Sequence, residues 1–413
     1  MQDTELYRHL LGIEKPWSVA RVELAVKEQR VDVFVEHKPG QEFTCPECGK
    51  KLGVYDHAEE RTWRHLDSCQ FATMLRARIP RVQCPEHGVR QAGVPWAEPR
   101  SRFTLLFERF AIDVLLETDV AGAAKILGIS WDEAHHLMQR AVARGRARKP
   151  RALARRIGID EKAIAKRHKY LTIVSNLDEG TVEFLAEGRT KASLFSYLAP
   201  YTLAEVGAIE AIAMDMWSPF FETATAWIPR AADKIVFDRY HVVQHMNQAV
   251  DQVRRAESKT LWAGGDETLK GTRYLWLYAK ENVPDNRADH FASLQATNLK
   301  TARAWAIKEM LRDLWNCRSR EDAEAFHRQW HAWAVRARLP AVRKVARMVK
   351  SHLHNILTYY THRITNAVSE GLNSAIQTIK KRAGGYRNVE NFKTAIYFHC
   401  GGLDLYPARS SGL

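Results

Sequence analysis

The spacing of hydrophobic residues changes along the chain. In residues 1–100, apolar side chains alternate with polar ones over 31–36 and partly over 71–79, which is the period of half-buried strands. From Phe103 the apolar residues recur at intervals of three and four, which predicts an amphipathic helix followed by two shorter helical segments. The pattern therefore predicts a β-rich region followed by a helical region over 101–147.

A mixed α/β pattern begins near residue 157. Strand-like runs alternate with turns at residues 157–160, 170–177, 181–186, 208–214 and 234–237. These runs predict a multi-domain α/β protein with one sheet domain made of residues 148–244 and 361–413. Residues 245–360 have a helical pattern only, and they predict an all-α insertion that interrupts this sheet domain. We expect a single helix over 361–382.

Charge and composition limit the class of protein. The 413 residues include 62 Lys or Arg and 48 Asp or Glu, a formal net charge of +14, and 46% are hydrophobic, which excludes an intrinsically disordered chain. The basic balance favours a nucleic acid as partner, and the alternative is a basic enzyme with scattered surface charge. No apolar run is long enough to span a membrane and no signal peptide is recognisable, so we expect a cytoplasmic protein.

Two short turns share the form Cys-Pro-Glu-X and pair potential metal ligands. The first holds Cys45 and Cys48, and the second holds Cys84 and His87. Structural Zn²⁺ binds four sulfur or nitrogen ligands in a tetrahedron, so the two turns predict a closed structural zinc site. The alternative is buried or unpaired thiols. Weaker candidates between the turns are His57, His65 and Cys69.

Residues 123–134 have the pattern of a helix-turn-helix. Gly128 can end one helix in the left-handed conformation, and Ser130 with Glu133 forms a capping box for the next. The alternative is an ordinary helical hairpin. Residues 140–156 contain eight Lys or Arg and no acid, which predicts a basic linker or arm along DNA phosphates. The residues predicted to contact DNA are Ser130, His135, His136, Gln139, Arg140, Arg144, Arg146, Arg148 and Lys149.

Three acidic residues stand where a nuclease-type sheet would carry them. Asp160 and Asp215 end two strand-like runs, and Glu370 lies on the last predicted helix. Acids in such positions can converge on two Mg²⁺ ions, although each taken singly is also typical of a solvated strand end. Asn373 and Gln377 extend the face of Glu370. The basic residues predicted to follow a DNA backbone from this helix are Lys380, Lys381, Arg382 and Arg387.

Long segments of the chain resemble the ISL3 family of bacterial insertion-sequence transposases. The resemblance rests on residues 158–161, 213–217 and 365–373, the last continuing through 379–388, and on the order of zinc finger, helix-turn-helix and catalytic domain. It covers nearly the whole chain. The family catalyses DNA strand cleavage and strand transfer with three acids, so the resemblance implies an RNase H-like domain in which Asp160, Asp215 and Glu370 hold Mg²⁺, with Mn²⁺ as a substitute.

The resemblance also implies partners. These are double-stranded DNA, as the terminal inverted repeats of the element and as the target, and further copies of the chain in a dimer or larger assembly in a bacterial nucleoid. Asp238 and His241 match a D-x-x-H signature with a structural or DNA-positioning role, although Asp238 is equally suited to cap a helix. Tryptophans of the insertion would stack on an unpaired base or pack in a core. Two rival functions are a catalytically silent DNA-binding regulator and a nuclease for branched DNA.

Overall fold

The structure is a computed structural model that describes residues 2–165 and 169–408. It divides into two compact units, the first made of residues 1–150 and 377–413 and the second of residues 151–376. Within the described residues, no helix has both the length and the apolar character needed to cross a bilayer.

A mixed sheet forms the β-rich part of the first unit. Its strands are β1 (Trp17–Ala25), β2 (Arg30–His37), β3 (Glu42–Thr44), β4 (Lys51–Arg64), β5 (Ala72–Cys84) and β6 (Gly88–Gln91). They are ordered β1-β2-β5-β4-β3, with β6 paired to β5, and only the β2–β5 pair is parallel among these described pairs. Alternate residues of β5, such as Leu75 and Ala77, are buried as the sequence period predicted.

Helices complete the first unit. They are α1 (Asp3–Leu10), α2 (Leu105–Glu117), α3 (Val120–Leu127), α4 (Trp131–Arg148) and α18 (Val389–Cys400). The sequence grouped residues 361–413 with the sheet domain, whereas in the structure residues 377–413 belong to the first unit because α18 packs on α4. The basic segment expected over residues 140–156 is a linker only over residues 149–155, because α4 continues to Arg148 and β7 begins at Arg156.

The second unit contains a smaller sheet. Its strands are β7 (Arg156–Ala165), β8 (Lys169–Asn176), β9 (Thr181–Glu187), β10 (Ala211–Met214) and β11 (Ile235–Phe237), in the order β11-β10-β7-β8-β9. The β7–β8 and β8–β9 pairs are antiparallel, whereas β10 runs parallel to both β7 and β11. Every residue of β10 and β11 is buried, as expected for short parallel strands covered on both faces.

The remaining elements of the second unit are helical, and the last of them continues beyond residue 376 into the first unit. They are α5 (Lys191–Leu198), α6 (Leu203–Gly207), α7 (Ser218–Trp227), α8 (Ala231–Lys234), α9 (Arg239–Ala263), α10 (Arg273–Leu277), α11 (Asp285–Ala296), α12 (Lys300–Arg312), α13 (Arg320–Arg336), α14 (Pro340–Ser351), α15 (Leu353–Leu357), α16 (Tyr359–His362) and α17 (Ala367–Arg382), with 3₁₀ turns at Lys280–Asn282 and Asp313–Asn316. The helix expected over residues 361–382 begins only at Ala367, because Arg363 ends α16 in the left-handed conformation (φ +53°) and residues 363–366 are not helical. From β11 to α17 the described chain has no strand.

Most tryptophans between α9 and α14 belong to the core. Trp276 and Trp330 are fully buried, and the Trp330 indole N–H donates to the carbonyl of Ile307 (2.9 Å). Only Trp262 and Trp333 expose a large part of their rings. Core packing is therefore the role of most of these side chains.

Candidate functional site

The four predicted zinc ligands meet in the first unit. The ligand atoms of Cys45, Cys48, Cys84 and His87 all lie within 4.8 Å of one another. Cys48 Sγ is 3.6 Å from Cys84 Sγ, and His87 Nδ1 is 3.5 Å from Cys84 Sγ. Sulfur and nitrogen atoms bound tetrahedrally to zinc are separated by about 3.5–3.8 Å, so the set fits a structural zinc site.

The geometry of this site comes from two tight turns and one supporting carboxylate. Gly49 and Gly88 follow the second ligand of each turn and have φ of +75° and +70°, a conformation that favours glycine. His87 directs Nδ1 toward the thiols, while its Nε2 lies 3.6 Å from Glu47 Oε2. A carboxylate on the far nitrogen is the usual means of fixing the orientation of a metal-binding histidine.

The helix-turn-helix forms as the sequence predicted. Gly128 ends α3 with φ of +64°, and Ser130 Oγ accepts from the Glu133 N–H (3.2 Å) at the start of α4. The Glu133 carboxylate accepts in return from the Ser130 N–H (2.9 Å), which completes the capping box. Ser130 therefore has a structural role that accounts for its position.

Three residues of α4 do not face outward as expected. His135 is buried. Arg140 and Arg144 both form ion pairs with Glu98 at 2.8 Å, and Arg144 also pairs with the fully buried Glu108. The sequence could not reveal these partners, because they lie on α2 and in the segment before it, more than 30 residues away.

The other predicted DNA contacts differ in their surroundings. On α4, His136 and Gln139 are exposed. Farther along the chain, Lys381, Arg382 and Arg387 are also exposed. Arg146 stacks on Tyr397, and Arg148 pairs with Asp404 (2.8 Å). Lys149 donates to the Gly401 carbonyl at 3.4 Å, and Lys380 is half-buried. The stronger predictions for a DNA surface thus remain His136, Gln139, Lys381, Arg382 and Arg387.

The carboxylates of the second unit lie along one edge of its sheet. The register pairs Ile159 with Met214, and Met214 with Phe237. The residues that follow, Asp160 and Asp215, are therefore neighbours across the parallel strands β7 and β10. Asp160 does not end its strand as expected, because β7 continues to Ala165 by pairing with β8. Strand β10 ends at Met214, so its pairing with β7 stops at Ile159, one residue before Asp160.

Helix α17 docks on β7 through a close contact. A Cβ atom on Gly158 would lie 2.3 Å from Ser369 Oγ and 2.6 Å from Ser175 Oγ, so only glycine fits without displacement. The Asn373 amide then donates to Asp160 Oδ2 (2.6 Å). These contacts place the first turn of α17, which carries the exposed Glu370, next to the strand that carries Asp160.

Burial disfavours ionisation of Asp160 and Asp215. Burial is the main cause that raises the pKa values of Asp160 and Asp215 above their usual range, and the charge of Asp215 adds to the effect on Asp160. Opposing hydrogen bonds come from the backbone N–H groups of Glu161 (2.7 Å) and Trp217 (3.0 Å). A cation bound beside these carboxylates would favour their ionised form and offset this penalty.

Asp238 and His241 join the same edge. Asp238 Oδ1 accepts from the Tyr240 N–H (3.2 Å) and caps α9, so the capping alternative is correct. Its buried Oδ2 has no hydrogen-bond partner among the described atoms and lies 3.9 Å from His241 Nε2. Burial raises the pKa of Asp238, and the charges of Glu370 and Asp160 raise it further. Asp238 is therefore close to the acids as well as a cap.

Sequence reasoning missed a cation and an acid next to the predicted site. Burial, followed by the charges of Asp215 and Asp160, raises the pKa of Glu161 to about 7. Arg189 lies 3.3 Å from Glu161, and its guanidinium stacks on the rings of Trp217 (4.4 Å) and Tyr170 (4.1 Å). Glu161 was visible as the neighbour of Asp160, whereas nothing in the local sequence marks Arg189.

The zinc-ligand set is much tighter than the carboxylate set. Over residues 2–165 and 169–408, no second group of three or more His, Cys, Asp or Glu side chains brings its ligand atoms within 4.8 Å of one another. Asp160, Asp215 and Glu370 thus share an edge without forming a closed cage.

Comparisons with known proteins match all three regions. A transposase family model of the ISL3 type matches residues 157–396, more than half of the chain. A model described as the zinc-finger of transposase IS204/IS1001/IS1096/IS1165 matches residues 41–87, and the helix-turn-helix domain of transposase family ISL3 matches residues 94–142.

Two curated relatives are similar over nearly their full length. The transposase for insertion sequence element IS1557 of Mycobacterium tuberculosis (strain ATCC 25618 / H37Rv) is 28% identical over 422 aligned positions, which cover 94% of each chain. The transposase for insertion sequence element IS1001 of Bordetella parapertussis is 24% identical over 397 positions, covering 95% of this chain and 97% of the relative. The chain therefore belongs to the ISL3 family of transposases.

Proposed function

We propose that the chain cuts DNA at the ends of its own insertion sequence and joins the freed ends to target DNA. The observation that carries this proposal is the meeting of Asp160 and Asp215 at one sheet edge, with the Glu370 turn of α17 docked beside them. The strand order β11-β10-β7-β8-β9 supports an RNase H-like domain, and the helices between β11 and α17 would be its insertion.

The carboxylates fit Mg²⁺ as the metal of this reaction. Their donors are hard oxygen atoms, and Asp238 adds a buried oxygen without a hydrogen-bond partner. Asp160, Asp215 and Glu370 would hold two ions. Bound Mg²⁺ would supply positive charge that stabilises the attacking and leaving oxygens of phosphoryl transfer.

The surrounding side chains would orient the acids. The Asn373 amide fixes Asp160 Oδ2, and the Lys162 ammonium group donates to the Asn373 carbonyl (3.3 Å). The Trp217 N–H fixes Asp215 Oδ1, and the Trp217 indole N–H donates to the Arg189 carbonyl (3.0 Å). Asp160 would therefore enter the reaction with both oxygens held by the protein, and Asp215 with one.

The first unit would recognise the DNA. We assign this role to the exposed His136 and Gln139 of α4 together with the zinc-binding region, and the bound DNA would be the terminal inverted repeats. Two ends must meet for transposition, so we expect a dimer or larger assembly on DNA.

The experiment that tests the proposal is a nicking assay with Glu370→Gln. The substrate is labelled double-stranded DNA that carries the presumed end of the element, incubated with the zinc-loaded chain and Mg²⁺. We expect nicking at the end by the wild type, and a loss of about 10³-fold in rate for the variant, because a metal ligand has been removed.

Glu390→Gln is the matched control, since Glu390 is also an exposed acid in the first turn of a helix. It should nick at the wild-type rate. Tight and specific binding by the wild type without nicking, tested also with Mn²⁺ and with paired ends, would favour the regulator. A Glu370→Gln variant that nicks normally would refute the assigned acid.

A further inference from the structure

The helical part of the second unit divides into two segments of different charge. Residues 245–324 contain 13 Lys or Arg and 12 Asp or Glu, so their charges nearly cancel. Residues 325–369 contain eight Lys or Arg and no acid. A folded segment of this length with cations alone is self-repelling, and it gains stability from a polyanion that neutralises it.

Helix α14 presents the densest part of this charge. Its apolar residues Val342, Val345, Ala346 and Val349 are buried. The opposite face exposes Arg343, Lys344, Arg347 and Lys350. Several of these cations are three or four positions apart, the spacing at which like charges repel on a helix. Within the described residues, none of the four has a carboxylate within ion-pair distance.

Helix α9 links α14 to the acids of the site, because the N-cap of α9 is Asp238. Helix α14 packs against α9, which carries His241 and His245 in its first two turns. The charge of Lys344 contributes to lowering the pKa of His245, after burial and the charge of His241. The charge of His245 in turn lowers the pKa of Asp215, against the larger effect of burial. Helix α14 and the carboxylates thus belong to the same compact unit, and α14 packs on the helix that Asp238 caps.

We propose that the exposed face of α14, formed by Arg343, Lys344, Arg347 and Lys350, binds the sugar–phosphate backbone of duplex DNA beside the reacting phosphate. This inference rests on the proposed function, because it takes the element end as the ligand. The 12 residues of α14 extend about 18 Å, which matches about half a turn of B-form DNA. Flexible cations without specific partners suit phosphates rather than base edges.

The test measures how salt weakens DNA binding. The full zinc-loaded chain is titrated against a fluorescent duplex that contains the presumed end and its flanking DNA, over a series of KCl concentrations. The variant combines Lys344→Gln with Arg347→Gln. Each cation that contacts a phosphate adds about 0.9 to the slope of log Kobs against log [salt], so we expect the slope to fall by about 2 and Kd to rise at least about 10-fold.

The control variant combines Lys259→Gln with Arg287→Gln. It removes the same charge from exposed helical positions of the same unit, but from sequence segments that also contain the acids Glu257, Asp285 and Asp289. The control should keep the wild-type slope. Equal slopes for wild type and the α14 variant would overturn the inference, as would an equal reduction in both variants. Circular dichroism verifies that all three proteins are folded.

A footprint locates the contact. Hydroxyl-radical cleavage of the same duplex should show wild-type protection within about half a turn of the cut, and the α14 variant should lose it there. Protection lost elsewhere and kept beside the cut would contradict the assignment.

Failure of this inference is distinguishable from failure of the proposed function. Nicking of the same duplex with Mg²⁺ is measured in parallel for the wild type. If the wild type nicks and the slopes are equal, only the role of α14 fails. If the wild type binds but does not nick, the proposed chemistry fails, and the difference in slope still decides the role of α14.

Discussion

The zinc-ligand set and the proposed Mg²⁺-binding set of the protein are built in opposite ways. Cys45, Cys48, Cys84 and His87 come in two pairs, each held by one tight turn, and their ligand atoms lie within 4.8 Å of one another. Asp160, Asp215 and Glu370 come from two strands and a helix, and 155 residues separate the last two. A closed set fits a structural ion, whereas an open set leaves space for a reacting phosphate.

The difference extends to how each set is supported. The zinc set depends on local turns with glycine at positive φ, and on one carboxylate beside His87. The carboxylate set depends on long-range packing, in particular on the absence of a side chain at Gly158 where α17 meets β7. Loss of zinc should therefore disturb folding, and loss of a carboxylate should disturb chemistry.

The largest effect on stability is expected for Cys84→Ser. It removes one of four ligands, so we expect loss of bound zinc, a decrease of at least about 4 kcal/mol in the free energy of unfolding of the first unit, and loss of specific DNA binding. Zinc content and thermal unfolding measure the first two. Cys69→Ser is the control, because Cys69 is exposed outside the site, and a zinc-free Cys84→Ser protein of unchanged stability would contradict the account.

Asp215→Asn should separate chemistry from folding. We expect nicking to fall about 10³-fold, which corresponds to about 4 kcal/mol. Without Mg²⁺ the same variant should be more stable at pH 7, because burial raises the pKa of Asp215 and its charged form therefore opposes folding. This penalty sets in as the pH rises through the pKa of the unfolded chain, so the gain should vanish in strong acid.

Thermal unfolding against pH, with and without Mg²⁺, measures this gain. Mg²⁺ should stabilise the wild type more than the variant, because the ion binds the folded carboxylates. A variant that is less stable than the wild type at pH 7 without metal would show that Asp215 supports the fold.

Gly158→Ala should disturb the carboxylate set without removing an acid. The added Cβ would overlap Ser369 Oγ at 2.3 Å, so α17 must shift, at a cost of about 1–3 kcal/mol in stability and a clear loss of nicking. Combining it with Ser369→Ala relieves the tightest overlap and should restore part of both quantities. Normal nicking by Gly158→Ala alone would mean that the position of α17 is not critical.

A buried histidine in the second unit should affect only the pH dependence of stability. Burial is the main cause that lowers the pKa of His327 to about 4, so the unfolded chain binds more protons below the ordinary value of 6.5. Stability is therefore present above pH 6.5 and is lost as the pH falls toward 4. We expect about 2 kcal/mol to be lost between pH 7 and pH 5.

His327→Leu should remove this part of the pH dependence. Denaturant unfolding at the two pH values measures it, after chelation so that neither metal-binding set contributes. An unchanged pH dependence in the variant would assign the effect to other groups.

The difference between local and long-range contacts also explains which features the sequence predicted. The zinc turns and the Gly128–Ser130 turn are set by neighbouring residues, so their sequence patterns were sufficient. The sheet edge with Asp160 and Asp215 followed from strand periodicity together with the family resemblance. The order of strands and the middle position of Asp160 in β7 required the β7–β8 pairing.

What the sequence could not reveal depends on distant partners. Arg140 and Arg144 looked like DNA contacts, but Glu98 and Glu108 hold them in the first unit. Helix α18 joined that unit by packing on α4, far away in sequence. Arg189 has no marked motif, and only the fold brings it to Glu161. In each case the sequence showed one residue but did not indicate which distant residue or helix it contacts.

The most direct test of the account is whether Asp160 and Glu370 act as one unit. Single-turnover nicking at saturating DNA is measured for Asp160→Asn, Glu370→Gln and the double variant. Residues that serve one site are strongly non-additive, so each single variant should lose about 10³-fold and the double variant should lose little more. Losses that multiply, or a single variant with the wild-type rate, would contradict a shared site.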